Sequence, residues 1–245
     1  MIRRNPKRRN ARRDYLPPAR PCQQFSTRFD QVALSVGQIT FSPRLESSSL
    51  VWATGFAVML IALQALPPDW QRALWYDRDA IADGQYWRLL TGNLVHPGWM
   101  HLALNVGALL IGTWVFYPAR TPIAWAVAQV VCSLVSSLGL YLFSPGIGWC
   151  VGMSGALHGL LMIGAIDWIR QGDRVGWLLL AIWTGKLAWE QLNGAMPFST
   201  ETVGSAVVTD AHLWGAVGGL LYVAAEQIYR HRQGRYAPDG TKETG

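Results

Sequence analysis

Long apolar stretches alternate with short polar segments over most of the chain, and their lengths predict membrane-spanning helices. A helix needs about 20 mostly apolar residues to cross the hydrocarbon core of a bilayer. Six stretches approach this length, at residues 50–66, 99–117, 122–143, 149–169, 175–190 and 207–228. The pattern therefore predicts an all-α membrane protein whose core is a bundle of six transmembrane helices.

The same pattern divides the chain into a membrane domain and two basic tails. The domain covers residues 50–228, and its first loop, 67–98, is rich in Trp and Tyr. These side chains favour the boundary between water and lipid, so we expect the loop to lie in the interface. Residues 1–49 mix basic runs with prolines and are predicted to be a disordered cytoplasmic tail. Residues 229–245 are predicted to be a second basic cytoplasmic tail.

The placement of basic residues indicates how the helices are oriented. Lys and Arg gather on the cytoplasmic side of membrane proteins. If both termini are cytoplasmic, only Arg72, Arg78 and Arg88 of the 21 Lys and Arg residues fall in outer segments. The net charge of +6 flanks apolar segments and has no base-stacking context, which argues against nucleic-acid binding.

Polar side chains within the apolar stretches carry most of the functional signal, because such groups are costly in a bilayer. In the predicted topology, helices two, four and six begin at the outer face. They carry Asn105, Ser154 and His212 a few residues from their starts. At 1.5 Å per residue, these side chains lie roughly 7–10 Å below the outer surface. Three helices are therefore predicted to bring polar groups to one level.

Small residues beside two of these groups would let the helices approach closely. The glycines at small-xxx-small spacing are Gly155, Gly159, Gly215 and Gly219. This spacing lets helix backbones come near each other in lipid. It occurs in membrane helices of every function, so its weight here comes from its position beside a serine and a histidine.

These residue types support nucleophilic catalysis when they meet. A serine hydroxyl needs a base to accept its proton, and the tetrahedral intermediate needs donors for its oxyanion. Ser154 and His212 could form the nucleophile and base. His101 and Asn105, at i and i+4 on one helix face, could donate to the oxyanion. Backbone N–H groups after Gly152 could also donate, because they open a helix. Taken singly, a serine in a membrane helix usually bonds to its own helix backbone, and a lone histidine there is as often a packing or pore residue as a functional one.

Three motifs resemble those of the rhomboid family of intramembrane serine proteases. They are HPGWMHLALN at residues 96–105, GMSG at 152–155 and AHLWGAVGG at 211–219. YWR at residues 86–88 is similar to an element of the family's first loop. The resemblance covers about residues 50–228, and it implies a rhomboid-like bundle that hydrolyses peptide bonds within the membrane without a cofactor.

The resemblance also implies roles for individual residues. Ser154 and His212 would form a catalytic dyad, with His101 and Asn105 assisting at the oxyanion. Asp210 invites comparison with a triad, but it precedes the histidine by two residues and so points to nearly the opposite side of a helix. We expect it to cap or solvate the loop.

One residue departs from the common rhomboid pattern and points to a particular branch of the family. Many rhomboids carry a tyrosine four residues after the nucleophile, whereas this chain has His158 there. This variant resembles the rhombosortase branch, which implies a membrane-anchored substrate with a C-terminal Gly-Gly, an apolar helix and a basic tail. The implied location is the bacterial cytoplasmic (inner) membrane, with the site opening to the periplasmic side. His158 could stack on His212 or tune it, or could be a hydrogen-bonded packing residue.

A charged pair on the fifth helix has two interpretations. Lys186 and Glu190 are spaced i,i+4, so in lipid they would neutralise each other. They could form a structural ion pair. Alternatively, they could line the path by which substrate reaches the site, or bind its polar terminus.

Other functions stay open beside that of a protease of the rhombosortase branch. The chain could be a general rhomboid protease, or a non-catalytic rhomboid-like chaperone, although retention of the serine and histidine argues against the chaperone. Four histidines at neighbouring depths could instead ligate a metal or haem: His96, His101, His158 and His212. No Cys or carboxylate completes that cluster, so no metal is expected.

Overall fold

The structure is a computed structural model of the chain, and it describes residues 43–116, 120–197 and 199–235. These residues form ten helices and a two-stranded sheet. In chain order the elements are α1 (Pro43–Gln64), α2 (Pro68–Leu74), β1 (Tyr76–Asp77), α3 (Arg78–Ala82), α4 (Arg88–Thr91), α5 (Trp99–Phe116), α6 (Pro122–Phe143), β2 (Trp149–Cys150), α7 (Ser154–Arg170), α8 (Val175–Asn193), α9 (Ser199–Val203) and α10 (Thr209–Arg235). Most of the predicted tails, at 1–42 and 236–245, lies outside the described residues.

Six of these helices are long, and each falls on one of the six apolar stretches. Helix α6 coincides with the predicted stretch at both ends. Its start is set by Pro122 in the first turn and by the Thr121 hydroxyl, which accepts from the Ala124 N–H at 3.3 Å. Helix α1 begins at Pro43 rather than at residue 50, and α10 continues to Arg235 rather than ending at 228.

Two helices, α5 and α6, are long and apolar enough to cross a membrane by length and composition within the described part of the chain. A third, shorter apolar helix runs over Ser48–Gln64. The prediction of six spanning helices is therefore supported for the helical positions, while the count of spans stays a prediction.

The outer faces of the long helices carry large apolar side chains. Exposed examples are Val51, Ile111, Ile123, Leu142 and Trp177. Soluble monomers seldom expose such extensive apolar surface. The distribution fits helices surrounded by lipid.

Helix α7 lies at the centre of the bundle, with most of its length buried. Its Ala156 and Ile163 have no exposed surface and belong to a core that also includes Leu60, Leu109 and Cys132. That core joins α7 to α1, α5 and α6. The first residues of α7 are consequently held on several sides.

The first loop is structured by short elements rather than being irregular. Strand β1 pairs antiparallel with β2, with Tyr76 opposite Cys150, so the fold contains a small sheet that the all-α prediction omits. Arg78 follows β1, and its guanidinium donates to four carbonyls at and after the end of α6, at 2.6–3.1 Å: Leu140, Tyr141, Ser144 and Ile147. The last carbonyls of a helix have few helical partners, and within the described structure only Leu140 and Ser144 among these four also accept a backbone N–H, from Ser144 and Ile147. A basic side chain therefore fastens the loop to the bundle.

A buried ion cluster closes the other end of α7. Arg120, between α5 and α6, donates to both carboxylate oxygens of Asp167 and to both of Glu226. The side chain of Arg120 is only 4% exposed. The cluster joins the α5–α6 connection to α7 and α10.

Candidate active site

Ser154 is the first residue of α7, and the backbone before it turns sharply. Gly152 has φ +111°, a conformation that side-chain-bearing residues rarely adopt. Its N–H donates to the Gly92 carbonyl at 3.0 Å. The turn and the preceding strand β2 explain why α7 begins here and not at residue 149. Ser154 is thereby placed at a helix N-terminus, where backbone N–H groups lack helical acceptors.

His212 reaches this serine from α10. Its Nε2 lies 3.0 Å from the Ser154 Oγ, which is hydrogen-bond distance. The imidazole is buried, being 5% exposed as a residue. The structure thus brings together the two residues for which sequence predicted the roles of nucleophile and base.

The four spaced glycines form the contact between α7 and α10. A Cβ added at Gly155 would lie 2.6 Å from the Ala211 carbonyl oxygen, and one at Gly159 would clash with the Gly215 carbonyl oxygen. Additions at Gly215 and Gly219 would clash with backbone carbonyls of α7. All four positions therefore admit no side chain, and this is what lets the two helices approach.

His158 stacks on His212. The ring centroids are 4.1 Å apart and the planes differ by 18°. Its Nδ1 lies 2.7 Å from the Ser154 carbonyl oxygen, and its Nε2 lies 2.9 Å from the Lys186 Nζ. The structure therefore contains both the stacking on His212 and the hydrogen bonding that were open from sequence, and whether His158 tunes His212 stays a prediction.

The contact between Glu190 and His212 is the feature of the site that the sequence did not predict. Its Oε1 accepts from the Lys186 Nζ at 2.6 Å, as the i,i+4 spacing suggests. Its Oε2 lies 2.9 Å from the His212 Nδ1, on another helix. The Glu190 side chain is 2% exposed. A signal was present in the sequence, since the residue is a carboxylate at the outer end of an apolar helix, at the depth predicted for His212.

Asp210, the other carboxylate near the histidine in sequence, bonds elsewhere. Its Oδ2 accepts from the Ser144 hydroxyl at the end of α6. This contact agrees with the expectation that it serves the loop.

The residues expected at the oxyanion lie beside the turn that precedes Ser154. A Cβ added at Gly152 would lie 3.2 Å from the His101 Nε2 and 3.6 Å from the Asn105 Nδ2. The Asn105 Nδ2 is buried without a hydrogen-bond partner among the described residues. A buried donor without an acceptor is unusual in a folded protein. Here it is available to an acceptor that enters the site.

His96 does not join the site. It is 1% exposed and contacts His101 edge-on, with ring centroids 5.5 Å apart. Burial, together with the neighbouring imidazole, lowers its pKa to about 3, so the ring is neutral at physiological pH. The ring packs against His101 in the first turn of α5.

A three-residue cluster has the ligand types that metals bind. Candidate ligand atoms of His158, Glu190 and His212 lie within 4.8 Å of one another. The Lys186 ammonium lies at hydrogen-bond distance from two of the three, so it already engages their lone pairs. The cluster differs from the four-histidine set considered from sequence, and it fits an ammonium better than a metal ion.

The polar groups around Ser154 and His212 open into one cleft. Its volume is about 420 Å³, and its lining includes both polar side chains of the site and apolar side chains of the surrounding loops. The polar lining residues are His101, Asn105, Ser154, His158, Lys186, Glu190, Ser199, Ser205 and His212. The cleft is large enough to admit a segment of extended polypeptide.

Long apolar helices surrounding a buried cluster of polar side chains define the class, a helical membrane protein with an internal site. Residues 83–227 match the Rhomboid domain family, a span of more than half the chain. The chain belongs to the rhomboid family, as the three motifs indicated.

Three curated relatives agree with this membership. Rhomboid-like protease 5 of Toxoplasma gondii is 32% identical over 149 residues, which cover 57% of this chain and 16% of that protein. Rhomboid protease GluP of Bacillus subtilis (strain 168) is 30% identical over 153 residues, covering 61% of this chain and 28% of that protein. The putative rhomboid protease YdcA of the same organism is 27% identical over 145 residues. The match thus spans under a third of the first two relatives.

Proposed function

We propose that the chain is an intramembrane serine endopeptidase in which Ser154 is the nucleophile and His212 the general base. The observation that carries the proposal is the 3.0 Å contact between the serine Oγ and the histidine Nε2, inside a cleft of a rhomboid-family membrane protein. Relatives named as rhomboid proteases support the same activity.

The proposed reaction follows from the geometry. The Ser154 oxygen bonds to the scissile carbonyl carbon while its proton passes to the His212 Nε2. Negative charge collects on the carbonyl oxygen, where His101, Asn105 and the backbone N–H groups of the first turn of α7 donate to it. The imidazolium then gives its proton to the leaving amine as the C–N bond breaks. Water, deprotonated by the same nitrogen, hydrolyses the acyl-enzyme and restores the serine.

A serine-directed fluorophosphonate probe tests the assignment on the full chain in detergent. The wild-type protein should be labelled covalently at Ser154, and Ser154→Ala should not be labelled. Ser199→Ala is a matched control, because Ser199 also lines the cleft but its hydroxyl donates to the Met196 carbonyl. Labelling that persists in the Ser154 variant, or that is absent from the wild type, would contradict the proposal.

We further propose that the substrate is an exported protein ending in Gly-Gly, an apolar helix and a basic tail, as in the rhombosortase branch. The histidine stacked on His212, at a position where many rhomboids have tyrosine, supports this. There is also a physical reason, because each glycine disfavours helix by about 1 kcal/mol relative to alanine. A Gly-Gly pair beside the membrane helix therefore unwinds easily into the extended form that can reach the serine.

The proposed setting is the bacterial inner membrane, with both termini cytoplasmic and the cleft on the periplasmic side. A reporter protein followed by Gly-Gly, an apolar helix and a basic tail should be cleaved in proteoliposomes. Replacing Gly-Gly by Leu-Leu should abolish that cleavage. Equal cleavage of both reporters would favour a general rhomboid protease. Binding of both without cleavage would favour the chaperone.

A further inference from the structure

Beyond the serine–histidine pair, we propose that Glu190 is a positioning residue that completes a Ser154–His212–Glu190 triad, and that Lys186 holds it in place. The inference rests on the proposed function, since it assigns a third group to the same reaction. It differs from the dyad that the family resemblance implies.

Glu190 makes a contact that a structural ion pair does not require. A pair spaced i,i+4 on α8 is complete when one carboxylate oxygen meets the ammonium, as Oε1 does at 2.6 Å. The second oxygen, Oε2, instead crosses to α10 and lies 2.9 Å from the His212 Nδ1. The contact is buried on both sides, with side chains 2% and 6% exposed. An interhelical hydrogen bond of this kind is directional and fixes the rotation of the ring.

The contact also determines which nitrogen of His212 carries the proton. An ionised carboxylate only accepts hydrogen bonds, so Nδ1 must be the donor. The neutral ring then has its lone pair on Nε2, and that atom faces the Ser154 hydroxyl. The base is consequently in the tautomer that can accept the serine proton. This is how the third member of a catalytic triad acts.

Lys186 and His158 close the network around the same ring. The ammonium only donates, so the His158 Nε2 must accept from it at 2.9 Å. The His158 Nδ1 therefore carries the proton and donates to the Ser154 carbonyl at 2.7 Å. Every donor and acceptor role is consistent, and His158 is held neutral beside His212. A neutral stacked ring permits His212 to become positive during the reaction, whereas a charged ring would oppose it.

Charge balance favours the same role. Lys186 and Glu190 cancel each other, so the resting network carries no net charge. When His212 takes the serine proton, the new positive charge lies against the Glu190 carboxylate in a site shielded from water. Electrostatic attraction is strong in such surroundings. Glu190 would therefore stabilise the charged intermediate as well as orient the ring.

The groups facing His212 can be separated by substitution. Among the described residues they are His101 on α5, His158 on α7, and Glu190 with Lys186 behind it on α8. The uncharged Ser136 of α6 bonds to the Ala211 carbonyl, next to the histidine in sequence. Glu190→Gln removes a negative charge while keeping the shape. Lys186→Met removes a positive charge from the same pair. Asp210→Asn is the matched control, because it neutralises a carboxylate of α10 that bonds to Ser144 instead.

The measurement is the fluorophosphonate labelling rate of each full-length variant in detergent, followed from pH 5 to pH 9. Glu190→Gln should lower the rate at pH 7 by about tenfold or more, and at most by about 10⁴-fold. The pH of half-maximal rate should fall by about 1–3 pH units in this variant, because the imidazolium loses its counter-charge. The pH of half-maximal rate should rise in Lys186→Met, because the Glu190 carboxylate then has His212 as its one remaining partner of the two. Asp210→Asn should match the wild type.

Opposite displacement of the two pH profiles distinguishes a positioning role from a structural one. A purely structural ion pair predicts loss of folded protein in both variants, with the profile of the surviving molecules unchanged. If thermal unfolding shows that Glu190→Gln does not fold, the pH profiles of Glu190→Asp and Lys186→Met are compared with the wild type instead. Unchanged profiles in both variants overturn the triad. If the wild type is not labelled at Ser154, the proposed function fails. If it is labelled while Glu190→Gln keeps the wild-type rate and profile, the triad alone fails.

Discussion

Gly215→Ala tests whether the contact between α7 and α10 maintains the proposed catalytic pair. The added Cβ would lie against the Gly155 carbonyl and 3.0 Å from its Cα. Carbon atoms in contact normally lie about 3.5–4.0 Å apart, so the helices must separate by at least about 0.5–1 Å at this point. The contact involves backbone on the α7 side, which cannot move aside as a flexible side chain could.

Separation of α7 and α10 at Gly215 would also displace Ser154 and His212, because both residues lie close to the contact. Ser154 adjoins Gly155, and His212 lies about one turn before Gly215. Their 3.0 Å contact would therefore lengthen to about 3.5–4.0 Å, beyond hydrogen-bond distance. A misplacement of about 1 Å costs about 10²-fold in rate, and overpacking lowers the free energy of unfolding by about 1–3 kcal/mol.

The assay combines the fluorophosphonate labelling rate with thermal unfolding in detergent. Gly107→Ala on α5 is the control, because its added Cβ would meet no atom within 4 Å. It should label like the wild type and unfold at the wild-type temperature or slightly above it, because alanine favours helix over glycine. If Gly215→Ala labels at the wild-type rate and unfolds at the wild-type temperature, the close contact does not hold the pair, and this reasoning is refuted.

Three further predictions concern stability, pH and metals. Arg120→Met should lower the free energy of unfolding by about 3–5 kcal/mol, because it leaves the buried carboxylate of Asp167 without the guanidinium that meets both of its oxygens, although the partly exposed Glu226 keeps Arg230 as a partner. The exposed Arg230→Met should change the free energy of unfolding by under about 1 kcal/mol in the same melts. The buried His96, whose pKa is lowered to about 3, is protonated more readily when unfolded (pKa about 6.5), so its contribution is present above pH 6.5 and is lost as the pH falls toward 3. Thermal unfolding from pH 7 to pH 4 should show this loss, and a His96→Gln protein that retains the full acid sensitivity would contradict it. Chelation with EDTA should leave the labelling rate unchanged, whereas a loss that zinc restores would favour the metal hypothesis.

Much of the helical framework could be predicted because the signal is local. The length of each apolar stretch and the capping residues beside it are properties of neighbouring residues, and α6 accordingly agrees at both ends. The start of α7 was predicted five residues early, since Trp149–Cys150 is apolar but pairs with Tyr76–Asp77 far away in sequence. The short helices of the first loop were missed for a related reason. They are held by contacts such as those of Arg78, which no periodicity reveals.

The sequence by itself determined the rhomboid family, which the comparisons confirm, and it selected the serine and histidine that the structure places 3.0 Å apart. It also determined that Lys186 and Glu190 share a helix face, because i,i+4 spacing is a property of one helix. Only the tertiary structure decided that the second oxygen of Glu190 meets the His212 Nδ1. That contact depends on the rotation of α8 and on its distance from α10, and both are set by packing among helices far apart in the chain.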